Sequence, residues 1–386
     1  MKGHIKERSP GHWAIILDIK KDGARKRKWH SFKGTKREAQ VECARLIAAI
    51  DEGAYVEKNK LTVKQFLNDR LAAWEAAKRI TPRSVERYRE LIDNQIVPHL
   101  GAKLLQSLKP IDIEDWHAKL ISSGRLDGKG GLSPRSIGHA HRLLTRMLKE
   151  AQRFDLVVKN AAVGSESLPK VNAAEVQIVG EAQLPALLEK IKGHKIEPIV
   201  LLALFCGLRR SEILPLKWGN IDLDRSVLRV RHSLEETRAG GVRFKEPKSR
   251  AGRRDVTMPD VVVAVLRRHR IEQLELRAKL GLGRPGDDDL VFWQLNGQPI
   301  GPRHFSANVW PAAAREIGMS EITFHALRHT HASQLIAAGV DVVTISKRLG
   351  HSSPNITLGV YAHLFSASDE KAAKAINAAL GKLGSK

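Results

Sequence analysis

Between Trp13 and Ile19 every second residue is apolar (Trp13, Ile15, Leu17, Ile19), the period of a strand with one buried face. Asp22-Gly23 is a hairpin turn signal, and RKRKWHSF after it predicts a basic second strand. Thr35 and Glu38 then form a Thr-x-x-Glu capping box. The helix it opens carries Ala39, Val41, Ala44, Ile47 and Ala48 and ends near Gly53. Beyond the polar stretch 57–60 the pattern becomes helical. Val63, Leu67, Leu71 and Trp74 share one helix face, and Thr81-Pro82 and Ser133-Pro134 are cap-then-proline helix starts. The second of these predicts a helix to about Phe154 with Ile137, Leu144, Met147, Leu148 and Ala151 inward. A Gly-rich loop, Gly124 to Gly131, lies between the two starts, and a loose segment from Asn160 to Ala174 ends the helical part.

The pattern changes again near Gln177. A helix over 182–192 leads into the apolar run Pro198 to Leu208, which reads as a buried helix. Segments 226–232 and 254–258 read as strands flanking the basic loop KEPKSRAGRR. After Asn296-Gly297 and Gly301-Pro302, helices continue to Tyr361, and 366–383 has an Ala-rich helical pattern. The fold class expected is multi-domain α+β. Its parts are a small β-sheet-plus-helix module (1–56), an all-helical domain (61–172), and a mainly helical domain with a small antiparallel sheet (177–386).

Composition narrows the function. Lys plus Arg number 65 against 42 Asp plus Glu, a formal net charge of +23, which implies a polyanionic partner with nucleic acid first. A membrane surface is the rival, but no apolar run is long enough to span a bilayer. The first residues hold no apolar core of signal-peptide length, so a cytoplasmic location is expected. The two cysteines, Cys43 and Cys206, both fall in predicted helices and read as free buried thiols.

Two stretches carry the chemistry. In ITFHALRHTHASQLIAAGVDVVTISKRLGHSSPNITLGVYAHL, His325 and Arg328 are i and i+3 on a helix, so a cation and an imidazole share a face suited to a phosphate oxygen. His351 follows in Leu-Gly-His, and Tyr361 is one of only three tyrosines in the chain, so a half-buried aromatic is the plain alternative for it. In LFCGLRRSEILPLKWGNID, Arg209 and Glu212 are again i and i+3, directly after the apolar run. His325 and His329 also have the i, i+4 spacing of zinc sites, but Ala326 occupies the place of the glutamate in a His-Glu-x-x-His motif. His329 therefore reads as structural or backbone-bonding, and no metal site is expected.

Together the two stretches closely resemble the tyrosine recombinase (phage integrase) family. The resemblance implies Arg209, Lys248, His325, Arg328, His351 and Tyr361 as catalytic residues, with Tyr361 the nucleophile and Glu212 supporting Arg209. Lys248 matches the family's hairpin lysine best, with Lys245 and Arg250 close by as alternatives. Cys206 departs from the threonine often found before the glycine. The implied activity is site-specific integration and excision of a prophage or genomic island, in which DNA is broken and rejoined through a 3′-phosphotyrosyl bond without a cofactor. The implied partners are double-stranded DNA at attachment sites, a homo-tetramer on synapsed DNA, a DNA-bending host factor and an excisionase.

By the same resemblance the N-terminal module is similar to a three-stranded arm-binding domain, and the helical part to a core-binding (SAM-like) domain. Lys21, Arg25, Arg27 and Lys28 at the hairpin, and Arg83, Arg87, Arg135 and Arg142 on the helices, are then the candidate DNA contacts. Solvated charge is the alternative for each. The C-terminal tail would pack on a neighbouring protomer or on its own domain. A non-catalytic DNA-binding protein on a recombinase-derived scaffold is the competing functional reading.

Overall fold

The computed structural model describes residues 2–21, 24–51, 55–164, 167–170, 177–247, 249–365 and 376–377. Two compact units divide the chain at Asn172, and each is described by itself.

Unit one opens with an antiparallel sheet of order β1-β2-β3, from β1 (Lys2–Ser9), β2 (His12–Lys21) and β3 (Ala24–Lys33). Ile15 and Leu17 of β2 pack with Cys43 and Leu46 of α1 (Lys36–Asp51), but Ala14 and Ile16 between them are buried as well, so β2 is covered on both faces over 13–17 rather than half-buried. Strand β1 is absent from the elements read off the residues, because KGHIKERS offers one large apolar side chain, Ile5, opposite Ile15. Thr35 and Glu38 make both bonds of the capping box, Thr35 N to Glu38 Oε2 at 2.8 Å and Glu38 N to Thr35 Oγ1 at 3.3 Å. The buried stripe of α1 is Ala39, Cys43 and Leu46, whereas Val41, Ala44 and Ala48 of the apolar set read from the residues are exposed.

The helical part of unit one comprises α2 (Val63–Ala76), α3 (Pro82–Leu91) continuing through a π-turn into α4 (Val97–Leu100), α5 (Pro110–Ser123) and α6 (Pro134–Arg153). Thr81 and Ser133 cap α3 and α6 as the cap-proline pairs predict. The four apolar residues read on α2 and the five on α6 are all buried in one cluster.

A polar pair interrupts this core. His117 of α5 and His141 of α6 meet at 3.1 Å (Nε2 to Nδ1), and His117 Nδ1 lies 2.7 Å from Ser167 Oγ. Burial first, then the neighbouring His141, pushes His117 down to about 4. The unfolded chain therefore binds more protons than the folded one between pH 6.5 and about 4, and stability falls as pH falls through that window. The expected loss from His117 alone is about 2 kcal/mol at pH 5 relative to pH 7.5. Urea unfolding at the two pH values checks this, and His117→Gln should shrink the difference by about that amount, leaving the part due to the other histidines whose pKa values are lowered.

Unit two places α7 (Leu184–Ile191) before the buried α8 (Glu197–Cys206), and the short α9 (Arg210–Ile213) after it. A three-stranded sheet of order β4-β5-β8 combines β4 (Ile221–Asp222), β5 (Val227–Val230) and β8 (Arg254–Thr257). Between β5 and β8 stands a hairpin of β6 (Ser233–Thr237) and β7 (Gly241–Lys245). Helix α10 (Asp260–Lys279) follows, and neither it nor the β6–β7 hairpin is marked by apolar periodicity.

Helix α11 (Pro302–His304) runs through a π-turn into α12 (Trp310–Glu316). The chain then forms α13 (Phe324–Ala337), α14 (Val342–Leu349) and α15 (Pro354–Tyr361). Helix α8 is the core's centre, with both α10 and α13 packed on it. The Ala-rich tail lies outside the described residues apart from 376–377. No helix among the described residues is long and apolar enough to cross a membrane. Both cysteines are free and buried, and burial raises the Cys206 thiol to about 12.

Candidate active site

The site within unit two is built from the turn between α8 and α9, strand β8, helix α13, the turn after α14 and the end of α15. Helix α8 ends at Gly207 in the left-handed conformation (φ +64°), which turns the chain sharply and delivers Arg209 at the start of α9. Arg209 is anchored twice by Glu212. Its backbone N donates to Oε2 at 2.9 Å, and its Nη1 donates to Oε1 at 2.7 Å, while the guanidinium stays partly exposed.

Glu212 is 4% exposed and gathers further cations. Arg254 of β8 donates to both of its oxygens, at 2.9 and 3.3 Å, and Arg328 Nη1 lies 4.0 Å away. Burial works to raise the Glu212 pKa, but Arg254, Arg209 and Arg328 outweigh it and bring the group to about 2. One carboxylate thus holds three guanidiniums in a cluster that remains net positive.

Arg328 is 3% exposed and bolts two loops together. Its Nη1 donates to Gly207 O, and its Nη2 to Leu349 O at 2.7 Å. The same Nη2 lies 3.1 Å from His351 Nε2. Since guanidinium only donates, His351 Nε2 accepts and its Nδ1–H donates to Thr357 Oγ1 at 2.8 Å. Burial, then Arg328, Arg209 and Arg254, pushes His351 to about 4, consistent with that neutral tautomer.

His331 braces the turn from behind. Arg348 Nε donates to its Nε2 at 3.1 Å, so its Nδ1–H donates to Leu204 O at 3.0 Å. A Cβ on residue 207 would meet His331 Cδ2 at 2.5 Å. Gly207→Ala is therefore expected to cost about 3 kcal/mol, combining left-handed backbone strain with this clash. It should also slow DNA cleavage more than tenfold by moving the carbonyl that holds Arg328. Chemical denaturation and single-turnover cleavage measure the two effects.

His325 sits in the first turn of α13, which Thr323 caps through Ala326 N. His325 is exposed, yet desolvation by its surroundings, then His329, Arg328 and Arg209, lowers its pKa to about 4. A groove beside it is lined by Arg209, Arg210, Ser306, Trp310 and Thr323. Arg210 Nε is buried there without a hydrogen-bond partner among the described residues.

Tyr361 ends α15 and is 2% exposed. Its hydroxyl lies 2.6 Å from His329 Nδ1, and burial raises the phenol to about 12, with Arg328 working to lower it. His329, read from sequence as structural or backbone-bonding, instead contacts the candidate nucleophile itself. Periodicity conceals this, because α15 brings Tyr361 to α13 across a separation of 32 residues.

The structure thus brings Arg209, Glu212, Arg328 and His351 into one bonded network, with His325 and Tyr361 both joined to it through α13. Lys248 lies outside the described residues. Its neighbour Lys245 is tied to the buried Glu235 at 2.9 Å. Arg254, unmarked in the sequence, belongs to the network. The single signal for it is an arginine at an inward position of an alternating strand, Arg254-Asp255-Val256-Thr257.

The candidate DNA contacts lie in unit one. The side chains of Lys21 and Arg25 are outside the described residues. Arg27 pairs with Asp18 at 3.1 Å, and Lys28 with Glu57. Arg83 and Arg87 pair with Glu86 and Glu90 on their own helix, at 3.1 and 3.4 Å. Arg142 donates to His139 Nδ1 at 3.0 Å, and Arg135 is exposed. Burial, then Arg142, Arg87 and Arg135, lowers the His139 pKa, so these three arginines of α3 and α6 share one positive patch.

Comparison with known proteins agrees with this fold. The model of the phage integrase family matches residues 178–368, and that of the phage integrase N-terminal SAM-like domain matches 63–121. A tyrosine recombinase XerC-like protein of Caldanaerobacter subterraneus subsp. tengcongensis is 25% identical over 386 residues, covering 95% of this chain and 96% of its own. Among solved structures, a Tn1549 transposon integrase in complex with transposon right end DNA superposes with a TM-score of 0.68. It is 22% identical and covers 83% of this chain and all of its own. A lambda integrase tetramer bound to a Holliday junction superposes with a TM-score of 0.50 at 17% identity, covering 91% and 96%. These matches define a DNA recombinase of the tyrosine type. The chain belongs to the phage integrase family, and it is a site-specific recombinase.

Proposed function

We propose that the protein integrates and excises a mobile element by cutting DNA at attachment sites through Tyr361, which retains the broken end as a 3′-phosphotyrosyl ester. The ester conserves the energy of the bond, so the strand can be resealed without an outside source. Arg209 and Arg328 stabilise the charge that develops on the non-bridging phosphate oxygens. Guanidinium suits that role because it stays charged and donates in a planar fork. Lys248 supplies the proton to the leaving 5′-oxygen, since Lys245 is already held by Glu235. His325, at the positive end of α13, assists proton movement, and His351 turns a donor toward the phosphate once DNA replaces its contact with Arg328.

The observation that carries this reading is the Glu212-centred cluster. It holds Arg209, Arg254 and Arg328 and leaves a net positive site in a unit whose tyrosine hydroxyl is already hydrogen-bonded to an imidazole. A binding-only scaffold has no need of that last contact.

Under this proposal residues 1–56 bind arm DNA, 61–172 bind core DNA and 177–386 catalyse. The patch of Arg87, Arg135 and Arg142 lies on the phosphate backbone. Four copies assemble on two duplexes, as the lambda integrase does on its Holliday junction. A DNA-bending host factor and an excisionase bias direction, and the whole process is cytoplasmic.

The test is adduct mapping. The protein is incubated with supercoiled plasmid in EDTA, quenched with detergent, digested with trypsin, and the DNA-linked peptide identified by mass. The peptide from Leu349 to Lys371 contains one tyrosine, Tyr361, and should carry the DNA. DNA attached at Tyr55 or Tyr88 would refute the assignment.

A further inference from the structure

Proton transfer at the leaving group has a candidate in Lys248, but the attacking phenol also has a proton to lose. Its only hydrogen-bond partner among the described residues is His329 Nδ1, at 2.6 Å. We propose that His329 is the catalytic base that takes the Tyr361 hydroxyl proton as the phenol oxygen attacks phosphorus.

The geometry supports this in three ways. His329 follows Arg328 directly on α13, so the rigid helix that positions the transition-state arginine also positions the imidazole. The ring of His325 packs edge-on against His329, with centroids 4.6 Å apart, and the His329 ring packs edge-on against Tyr361 at 5.6 Å. His329 is thereby held between the solvent-facing His325 and the buried phenol. Finally, Tyr361 as a whole is 2% exposed, so bulk water is a poor competitor for its proton.

For His329 Nδ1 to accept, its proton must sit on Nε2. Burial, then Arg328, lowers the His329 pKa and keeps the ring neutral in the free protein, as an acceptor must be. A seated phosphate brings negative charge, which works in the opposite sense and favours the imidazolium once the proton has moved.

The step balances. The Tyr361 O–H bond breaks and its proton moves to Nδ1. The oxygen's electron pair forms the O–P bond, the P–O5′ bond breaks, and the 5′-oxygen leaves with a proton from the acid on its own side. In resealing, the 5′-hydroxyl attacks, the phenolate departs, and His329 returns the proton. The inference rests on Tyr361 as nucleophile, and its test must separate the two claims.

Asparagine provides the separation, because its amide approximates the position of Nδ1 and can hydrogen-bond but cannot take up a proton. Wild type, Tyr361→Phe, His329→Asn and His329→Ala are compared for detergent-trapped adduct on supercoiled plasmid in EDTA, with thermal unfolding alongside. Both His329 variants should form adduct on the order of 10²- to 10⁴-fold more slowly, with Asn restoring the melting temperature but not the rate. If Asn restores the rate, His329 only holds the ring and the proposal is overturned. Adduct surviving in Tyr361→Phe would instead overturn the nucleophile.

A second arm needs no DNA. In nitrogen-15 spectra of histidine-labelled protein, with His329→Asn identifying the resonance, Nδ1 should be unprotonated and should shift in Tyr361→Phe. A protonated Nδ1, donating to the phenol, overturns the proposal whatever the plasmid shows.

Discussion

Tyr361→Phe should form no covalent adduct with DNA and relax no supercoiled plasmid, while binding DNA as the wild type does. The physical grounds lie in how little else the hydroxyl does. It is buried in an apolar cluster with Ala332, Ile336, Ile345 and Leu349, all of which phenylalanine satisfies equally. Its polar contact among the described residues is His329 Nδ1, and leaving that atom unpaired costs about 1 to 3 kcal/mol. Structure therefore changes little while the nucleophile disappears. A gel-shift affinity within a few-fold of wild type, combined with absence of adduct, is the expected pair of results. Relaxation that persists in the variant would remove Tyr361 from the mechanism.

Glu212→Gln is expected to have the second large effect, on both folding and chemistry. The carboxylate accepts from Arg209 and Arg254 and lies near Arg328. Glutamine keeps the shape but replaces one acceptor oxygen by an NH₂ group, which then faces guanidinium donors. Three buried or half-buried cations lose their counter-charge, and breaking a buried pair in this way typically costs about 3 to 5 kcal/mol. Cleavage should fall at least about a hundredfold because Arg209 keeps at most one of its two anchors and loses its counter-charge. Urea denaturation and single-turnover cleavage report the two losses. Since a phosphate restores negative charge at the cluster, added DNA should raise the variant's melting temperature more than the wild type's. Equal shifts would argue against Glu212 as the counter-charge that holds the cluster.

What the sequence made legible was local. Arg209 with Glu212 and His325 with Arg328 are each within one helical turn, so spacing alone places each pair on a common face. Thr81-Pro82 and Ser133-Pro134 announce their helices because capping and proline geometry depend only on neighbours. The misses are tertiary. Val41 and Ala39 belong to the same apolar set in the sequence, but the sheet docks on the stripe through Cys43 and Leu46 and leaves Val41 exposed. Strand β1 exists because β2 offers it an edge, not because its own residues alternate. Arg254 reaches Glu212 across 42 positions, and His329 reaches Tyr361 across 32, distances at which no periodicity speaks. The family resemblance supplied the candidate catalytic set, yet it was silent on both of these residues.

The bolting of two loops by Arg328 has an evolutionary corollary. Gly207 O and Leu349 O both depend on this guanidinium, and Glu212 and Arg254 depend on the same cluster. A lineage that ceased to recombine DNA would still be selected to keep Arg328, Glu212 and Arg254, simply to remain folded. Decay should begin instead at the Tyr361 hydroxyl and at His325, whose loss the scaffold tolerates. Among descendants of such a protein, those two positions, and not the arginines, would separate working enzymes from fossils.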